Sequence, residues 1–184
     1  MTATIHVGPL QPRHRSRIEE IVRATGVFSK DEIGVAVELF DEALGSRLSA
    51  LGGNELTADG REPRADYEFI GAFDGDELIG YVCFGATPST DRTYDLYWIA
   101  VHPDAQGAGA GAALMSEVER LLWERRARLV IIETSSRDDY APTRRFYHKR
   151  GYQETARLRD FYAPGDDRVV LTKRVGVHQP PPYE

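Results

Sequence analysis

At 184 residues, with 41% hydrophobic and 28% charged side chains, the chain has the size and composition of one globular domain. That length buries about 70% of the unfolded surface without a staple, and the lone Cys83 excludes an internal disulfide or a cysteine-cluster metal site. A net charge of −6, from 23 basic and 29 acidic residues, argues against a broad grip on nucleic acid or an anionic membrane. No run approaches the roughly 18 apolar residues of a membrane span. The opening Met1-Thr2-Ala3-Thr4 lacks the basic-then-apolar pattern of a secretory leader. A cytoplasmic, thiol-reduced protein without a metal is expected.

Residues 4–7 alternate like a short first strand, and 12–25 carry Ile18, Ile21 and Val22 at helical spacing. Ser29, with Glu32 three residues on, forms a capping box that opens a second helix. Its apolar stripe reads Ile33, Val35, Val37, Leu39, Phe40 and Leu44, and Gly45 is placed to stop it. Residues 51–66 read as a loop. Strands at 67–73 and 77–84 flank Asp74-Gly75-Asp76, a hairpin signal. A turn at 88–92 leads to a strand at 94–101 rich in aromatic and β-branched residues.

A glycine-rich turn at 103–111 then opens a helix with Leu114, Met115, Val118, Leu121 and Leu122 on one face. The apolar run 129–132 is the pattern of a strand buried on both faces. Strand, loop, helix and strand make a right-handed βαβ crossover. A shorter helix at 140–150 tolerates Pro142 in its first turn and ends at Gly151, beyond which Tyr152 folds back. Strands at 153–161 and 168–174 flank the turn Ala163-Pro164-Gly165-Asp166-Asp167. The expectation is an α+β domain over residues 1–176, α/β/α layered around a mixed, mostly antiparallel sheet, followed by a disordered tail at 177–184.

The chemistry concentrates in Gln106-Gly107-Ala108-Gly109-Ala110-Gly111, directly before a helix. Glycines permit positive φ and close approach of a ligand to the backbone. Outward N–H groups and the helix dipole at that point suit a phosphate or pyrophosphate. A P-loop would require a lysine and a hydroxyl residue after the last glycine, and neither follows Gly111. A dinucleotide fingerprint fits only in an alanine-tolerant frame that runs from Gly107 to Ala112, and it normally follows a first strand. A helix start that merely packs tightly is the remaining reading.

The stretch from Trp98 through Val101-His102-Pro103-Asp104-Ala105-Gln106-Gly107-Ala108-Gly109-Ala110-Gly111 to Met115 resembles the acyl-CoA-binding motif of the GNAT superfamily of N-acyltransferases. Gln106, Gly109 and Gly111 fill the family's Gln/Arg-x-x-Gly-x-Gly/Ala loop. Arg145-Phe146-Tyr147-His148-Lys149-Arg150-Gly151-Tyr152 looks like its second motif. The resemblance covers about residues 66–174 and is loose before that. One departure stands where the family often has Asn and, three residues later, Ala: here Tyr140 and Thr143 occupy those places.

The resemblance implies acetyl-CoA as cosubstrate, held where two parallel strands splay apart. Its pyrophosphate would lie on the amides of Gly107, Ala108, Gly109, Ala110, Gly111 and Ala112, reached through Gln106. Its pantetheine arm would run beside Ile99, Ala100 and Val101, near Tyr140. Tyr147 becomes the candidate acid for the CoA thiol, on a helical face with Thr143, Phe146 and Arg150, while Arg144, Arg145, His148 and Lys149 take the other faces. Glu133, at the end of a strand, is the candidate base, with Asp95 and Tyr97 as alternatives. His102 reads as a turn cap and Cys83 as a core residue. Tyr94, Tyr97, Trp98, Tyr140, Phe161 and Tyr162 either line an acceptor pocket or fill the core.

The expected activity is transfer of an acetyl group to a primary amine of a small molecule or peptide, without a covalent enzyme intermediate. The competing readings are a catalytically silent CoA-responsive module and a dinucleotide-binding enzyme. Members of the family often dimerise, so a homodimer is compatible with the resemblance.

Overall fold

A computed structural model describes residues 5–52 and 67–176. The expected loop beyond Gly52 and the expected tail at 177–184 lie outside the described residues. Seven strands form one sheet: β1 (Ile5–Pro9), β2 (Glu68–Asp74), β3 (Glu77–Ala86), β4 (Thr93–Val101), β5 (Leu129–Ser135), β6 (Gln153–Ala163) and β7 (Asp166–Arg174). The helices are α1 (Arg15–Thr25), α2 (Lys30–Gly52), α3 (Ala110–Glu124) and α4 (Ala141–Lys149). Strand order is β1-β2-β3-β4-β5-β7-β6. β4 and β5 run parallel, whereas β1–β2, β2–β3, β5–β7 and β6–β7 pair antiparallel. This is the mixed, mostly antiparallel α+β architecture that the element order predicts. None of the described helices is long and apolar enough to cross a membrane.

The chain gathers into two compact units that divide inside β4 and α3. One runs up to Gly85 and takes in Trp98–Glu117; the other takes in Ala86–Tyr97 and everything from Val118.

In the first unit, Ile18, Ile21 and Val22 of α1 share a core with Ile33, Ala36, Phe40 and Ala43 of α2 and with Phe69, Leu78, Tyr81, Cys83 and Ala100 from the strands. Fully burying one such large apolar side chain contributes about 1.5–3 kcal/mol. The capping box is formed: the Ser29 N–H donates to Glu32 Oε2 at 2.7 Å, and the Glu32 N–H donates to Ser29 Oγ at 3.2 Å. Two expectations need correction. Val35 is 45% exposed, because the buried stripe follows the 3.6-residue period through Ile33, Ala36, Val37, Phe40 and Ala43. The helix also runs through Gly45 to Gly52. A glycine stops a helix by turning to positive φ, as Gly26 does at the end of α1 (φ 70°), and Gly45 does not make that turn.

In the second unit, β5 is paired on both edges, by β4 and by β7. Val130 and Ile132 are fully buried, but Leu129 and Ile131 are only half-buried. The run 129–132 therefore does not mark a strand buried on both faces: one face is buried and the other is partly open.

The final hairpin is tight, with Ala163 opposite Asp166 and Gly165 at φ 82°. Just before it, β6 leaves its partner. Leu158 pairs Arg168 and Ala163 pairs Asp166, so residues 159–162 stand against Asp167 alone. Carboxylates pin this bulge. Asp160, at φ 51°, accepts the Gly165 N–H at 2.6 Å, and Asp167 accepts the Asp160 N–H at 3.1 Å and Arg157 Nη1 at 3.1 Å.

Candidate active site

The glycine loop belongs to the first unit. After β4, Pro103–Ala105 makes a single 3-10 turn, capped as expected by His102, whose ring accepts the Asp104 N–H at 3.3 Å. The strand end is anchored, since the His102 N–H donates to Ile79 O at 2.8 Å. Gln106 folds back, and its Nε2 donates to Val101 O at 3.3 Å. Gln106 is thus a brace between strand end and loop, which brings two of the expected site residues together. A glycine is required at position 80 in β3, which the sequence reading passed over: a Cβ there would sit 2.9 Å from Ala100 O and 3.0 Å from Val101 Cγ2. The close approach of the two strands sets the course of Ile99, Ala100 and Val101 toward the loop.

Gly107 and Gly109 adopt φ of 81° and 98°, which side-chain-bearing residues rarely take. A Cβ at either position would meet nothing within 4 Å, so these glycines serve the backbone path and not the packing of neighbours. Gly111, by contrast, lies in the first turn of α3 without a positive φ. The first hydrogen bond that closes α3 runs from the Ala113 N–H to Gly109 O at 2.9 Å. The amides of Ala110, Gly111 and Ala112 precede it, as the leading amides of any helix do. They lie at the positive dipole end of the helix, which favours anions; Gly111 and Ala112 reach the surface, whereas Ala110 is buried at 1% exposure. Gly107, Ala108 and Gly109 are exposed, but the Ala108 N–H donates to Ala105 O at 3.4 Å, so the expected row of open amides is interrupted there.

The second unit carries the titratable candidates. The parallel ladder pairs Thr93, Tyr94, Asp95 and Leu96 with Leu129, Val130, Ile131 and Ile132 and stops there, although β4 continues to Val101 and β5 to Ser135. From Glu133 to Ser135, β5 remains paired with β7.

Tyr147 is buried at 3% exposure near the end of α4, and burial pushes its phenol well above the ordinary tyrosine range, so it is held protonated. Its ring meets Phe146 and, edge-on, Tyr152, with centroids 5.4 and 5.8 Å apart. Gly151, at φ 85°, closes the helix: the Gly151 N–H reaches His148 O at 3.0 Å, and the Tyr152 N–H reaches Tyr147 O at 3.1 Å. Arg144 does not simply decorate the surface. Its Nη1 donates to Ser135 O at 2.6 Å and Arg137 O at 2.9 Å, tying the end of β5 to α4. Tyr140 stands at the helix start with the Arg137 guanidinium 5.2 Å from its ring centroid.

Glu133 forms an ion pair with Arg168 of β7. Arg168 also lies 4.9 Å over the ring of Phe161, in the β6 bulge. Among the described residues neither a hydrogen bond nor an ion pair joins Glu133 to Tyr147. Asp95 accepts Thr87 Oγ1 at 2.7 Å and Tyr97 Oη at 3.5 Å. Phe161 and Tyr162 are about half exposed, whereas Tyr94 is buried. Cys83 is fully buried, and burial raises its thiol far above the usual range, as expected of an inert core cysteine. No cluster of three His, Cys, Asp or Glu side chains suited to a metal occurs among the described residues.

Comparison with known proteins places this arrangement. Residues 37–152 match the model of the acetyltransferase (GNAT) family. A GNAT-family protein of known structure from Desulfovibrio desulfuricans is 36% identical, with a TM-score of 0.82 over 94% of this chain and 100% of that one. The ribosomal-protein-S18-alanine N-acetyltransferase of Escherichia coli shares the fold at 16% identity (TM-score 0.68, 98% and 100% of the two chains). The PaiA N-acetyltransferase of Thermoplasma acidophilum, solved with coenzyme A, does so at 17% identity (TM-score 0.66, 93% and 99%). No curated protein sequence matches significantly. The chain belongs to the GNAT acetyltransferase family.

Proposed function

We propose that the protein is an N-acetyltransferase that moves the acetyl group of acetyl-CoA directly onto a primary amine. The observation that supports this reading is the head of α3, where two exposed positive-φ glycines lead into the first amides of a helix, those of Gly111 and Ala112 on residues that reach the surface. Fold relatives solved with coenzyme A support the choice of cosubstrate. The pantetheine arm is assigned to the backbone of Ile99, Ala100 and Val101, which can bind it as an added strand. Ala108 and Tyr140 complete the cofactor set.

In the reaction, the neutral amine attacks the thioester carbonyl to give a tetrahedral oxyanion. Collapse breaks the carbon–sulfur bond, and the leaving thiolate takes the proton of Tyr147 Oη, giving the amide and CoA. Burial holds that phenol in its protonated form. The acceptor must shed a proton, because an amine of the lysine type has a pKa of about 10.4. Glu133 is assigned to receive it. Its carboxylate is ion-paired with Arg168, which leaves further lone pairs for an incoming ammonium group. The acceptor is a small-molecule or peptide amine.

The test is thiol release from acetyl-CoA across benzylamine, spermidine and a peptide with an N-terminal alanine. With the best amine, Tyr147→Phe lowers kcat by roughly 100-fold, the low end for loss of a positioned acid, while CoA binds within twofold of wild type. Unchanged kcat at saturation removes Tyr147 from the chemistry.

A further inference from the structure

We propose that Tyr152 is a positioning residue for Tyr147, itself locked by an ion triad of Glu119, Arg150 and Lys173. The proposal rests on the reading of Tyr147 as the acid. It starts from an ionic cluster that the transfer chemistry does not use. Glu119, on the second half of α3, lies between two cations: Arg150 Nη2 is 3.2 Å from its Oε2, and Lys173 Nζ is 3.0 Å from its Oε1. All three side chains are mostly buried, at 18–27% exposure. The triad links α3, the end of α4 and β7.

Tyr152 sits inside this cluster at 1% exposure. Lys173 Nζ stands 5.4 Å from its ring centroid, and its phenol is pushed upward first by burial and then by the nearby Glu119 carboxylate. One edge of the aromatic contact is therefore set by charge, and the other is Tyr147. Two constraints act on the proposed acid and a third on its neighbour. The Tyr147 carbonyl accepts the N–H groups of Arg150 and Tyr152, at 3.0 and 3.1 Å; its ring meets Tyr152 edge-on at 5.8 Å; and His148 Nδ1 stands 3.0 Å from Tyr152 O.

Packing alone does not call for this device. Well-packed apolar residues fill such a site as stably as a buried ion cluster does, and the Tyr152 hydroxyl adds nothing to apolar packing. What the triad adds is direction: Glu119 fixes Lys173, Lys173 stands over the Tyr152 ring, and Tyr147 meets that ring edge-on. An acid that must meet a leaving sulfur needs that placement, since a misplacement of about 1 Å can cost on the order of 100-fold in rate.

The test is a cycle of Tyr152→Leu and Tyr152→Phe in the wild-type and Tyr147→Phe backgrounds. Thiol release from acetyl-CoA is followed with the fastest of the three amines, or with water as acceptor. In the wild-type background Tyr152→Leu is expected to lower kcat about 10-fold or more, with KM for acetyl-CoA within about twofold. Tyr152→Phe keeps the ring and restores at least about a third of the rate. In the Tyr147→Phe background Tyr152→Leu changes kcat less than about twofold, because two residues acting as a unit are not additive. Should Tyr152→Leu cost the same factor in both backgrounds, Tyr152 is merely structural and the proposal is overturned, with Tyr147 untouched. Should Tyr147→Phe itself leave kcat unchanged, the acid assignment fails and takes the positioning role with it. If Tyr152→Leu does not fold, Glu119→Gln replaces it in the cycle, with a smaller loss and the same dependence on background expected.

Discussion

The head of α3 and the foot of α4 solve opposite problems with opposite materials. In the proposed function the working groups at the head of α3 are backbone amides beside exposed glycines at positive φ, whose contribution is to have no side chain. At the foot of α4 the proposed working group is one phenol, nearly sealed from water, with a second aromatic ring edge-on to it and a Glu119–Arg150–Lys173 ion cluster beyond that ring. An anion-binding turn tolerates most neighbours but no side chain at its positive-φ positions. A buried acid depends instead on neighbours far away in sequence, and each of them is replaceable only in kind.

The largest expected effect breaks the first half of the comparison. Gly109→Glu forces a side chain onto a φ of 98° and puts a negative charge at the anion site. CoA affinity should fall by at least about 100-fold, or ~2.7 kcal/mol, measured by calorimetry on protein with wild-type circular dichroism. Affinity within threefold of wild type would mean that the diphosphate rests elsewhere.

The second prediction sharpens the other half. Burial raises the Tyr147 phenol, which favours its neutral, proton-donating form. An ordinary tyrosine acid would lose activity as pH rises through about 10. Here kcat at saturating substrates should stay level from pH 8 to about 10, while kcat/KM for the amine climbs as the acceptor loses its proton. A fall in kcat centred near pH 9 would show that an acid with a lower pKa controls turnover.

The two regions also differ in how far the sequence reveals them. The glycine turn, the Ser29 capping box, the place of the two hairpins and the Gly151 cap are set by a few adjacent residues, so local rules find them, although the last turn is two residues and not the expected five. The end of α2 is not legible in the sequence, because glycine composition does not state φ: Gly26 and Gly45 look alike until the chain turns at one of them. The partners of the catalytic candidates were invisible for a different reason. Glu133 meets Arg168 through the β5–β7 ladder, and Glu119 meets Arg150 and Lys173 through three elements. No spacing in the sequence encodes such pairs. A strand-end glutamate looks the same whether it is free or held by a guanidinium.

A smaller effect tests the edge of the second unit. Asp160→Ala loses the 2.6 Å bond from the Gly165 N–H and places alanine at φ 51°. The cost of about 1 kcal/mol should lower Tm by roughly 2–4 °C, as read by thermal melting. No change would mean that the bulge holds its shape without that carboxylate.

The account stands or falls on whether main-chain amides at the start of α3 grip a diphosphate. Titration calorimetry with CoA and with pantetheine, which lacks the nucleotide and both of its bridging phosphates, addresses this directly. The account predicts measurable heat with CoA and affinity at least about 100-fold weaker for pantetheine, the difference an anion site at a helix head must supply. Equal affinity for the two, or no heat with CoA on folded protein, would contradict it.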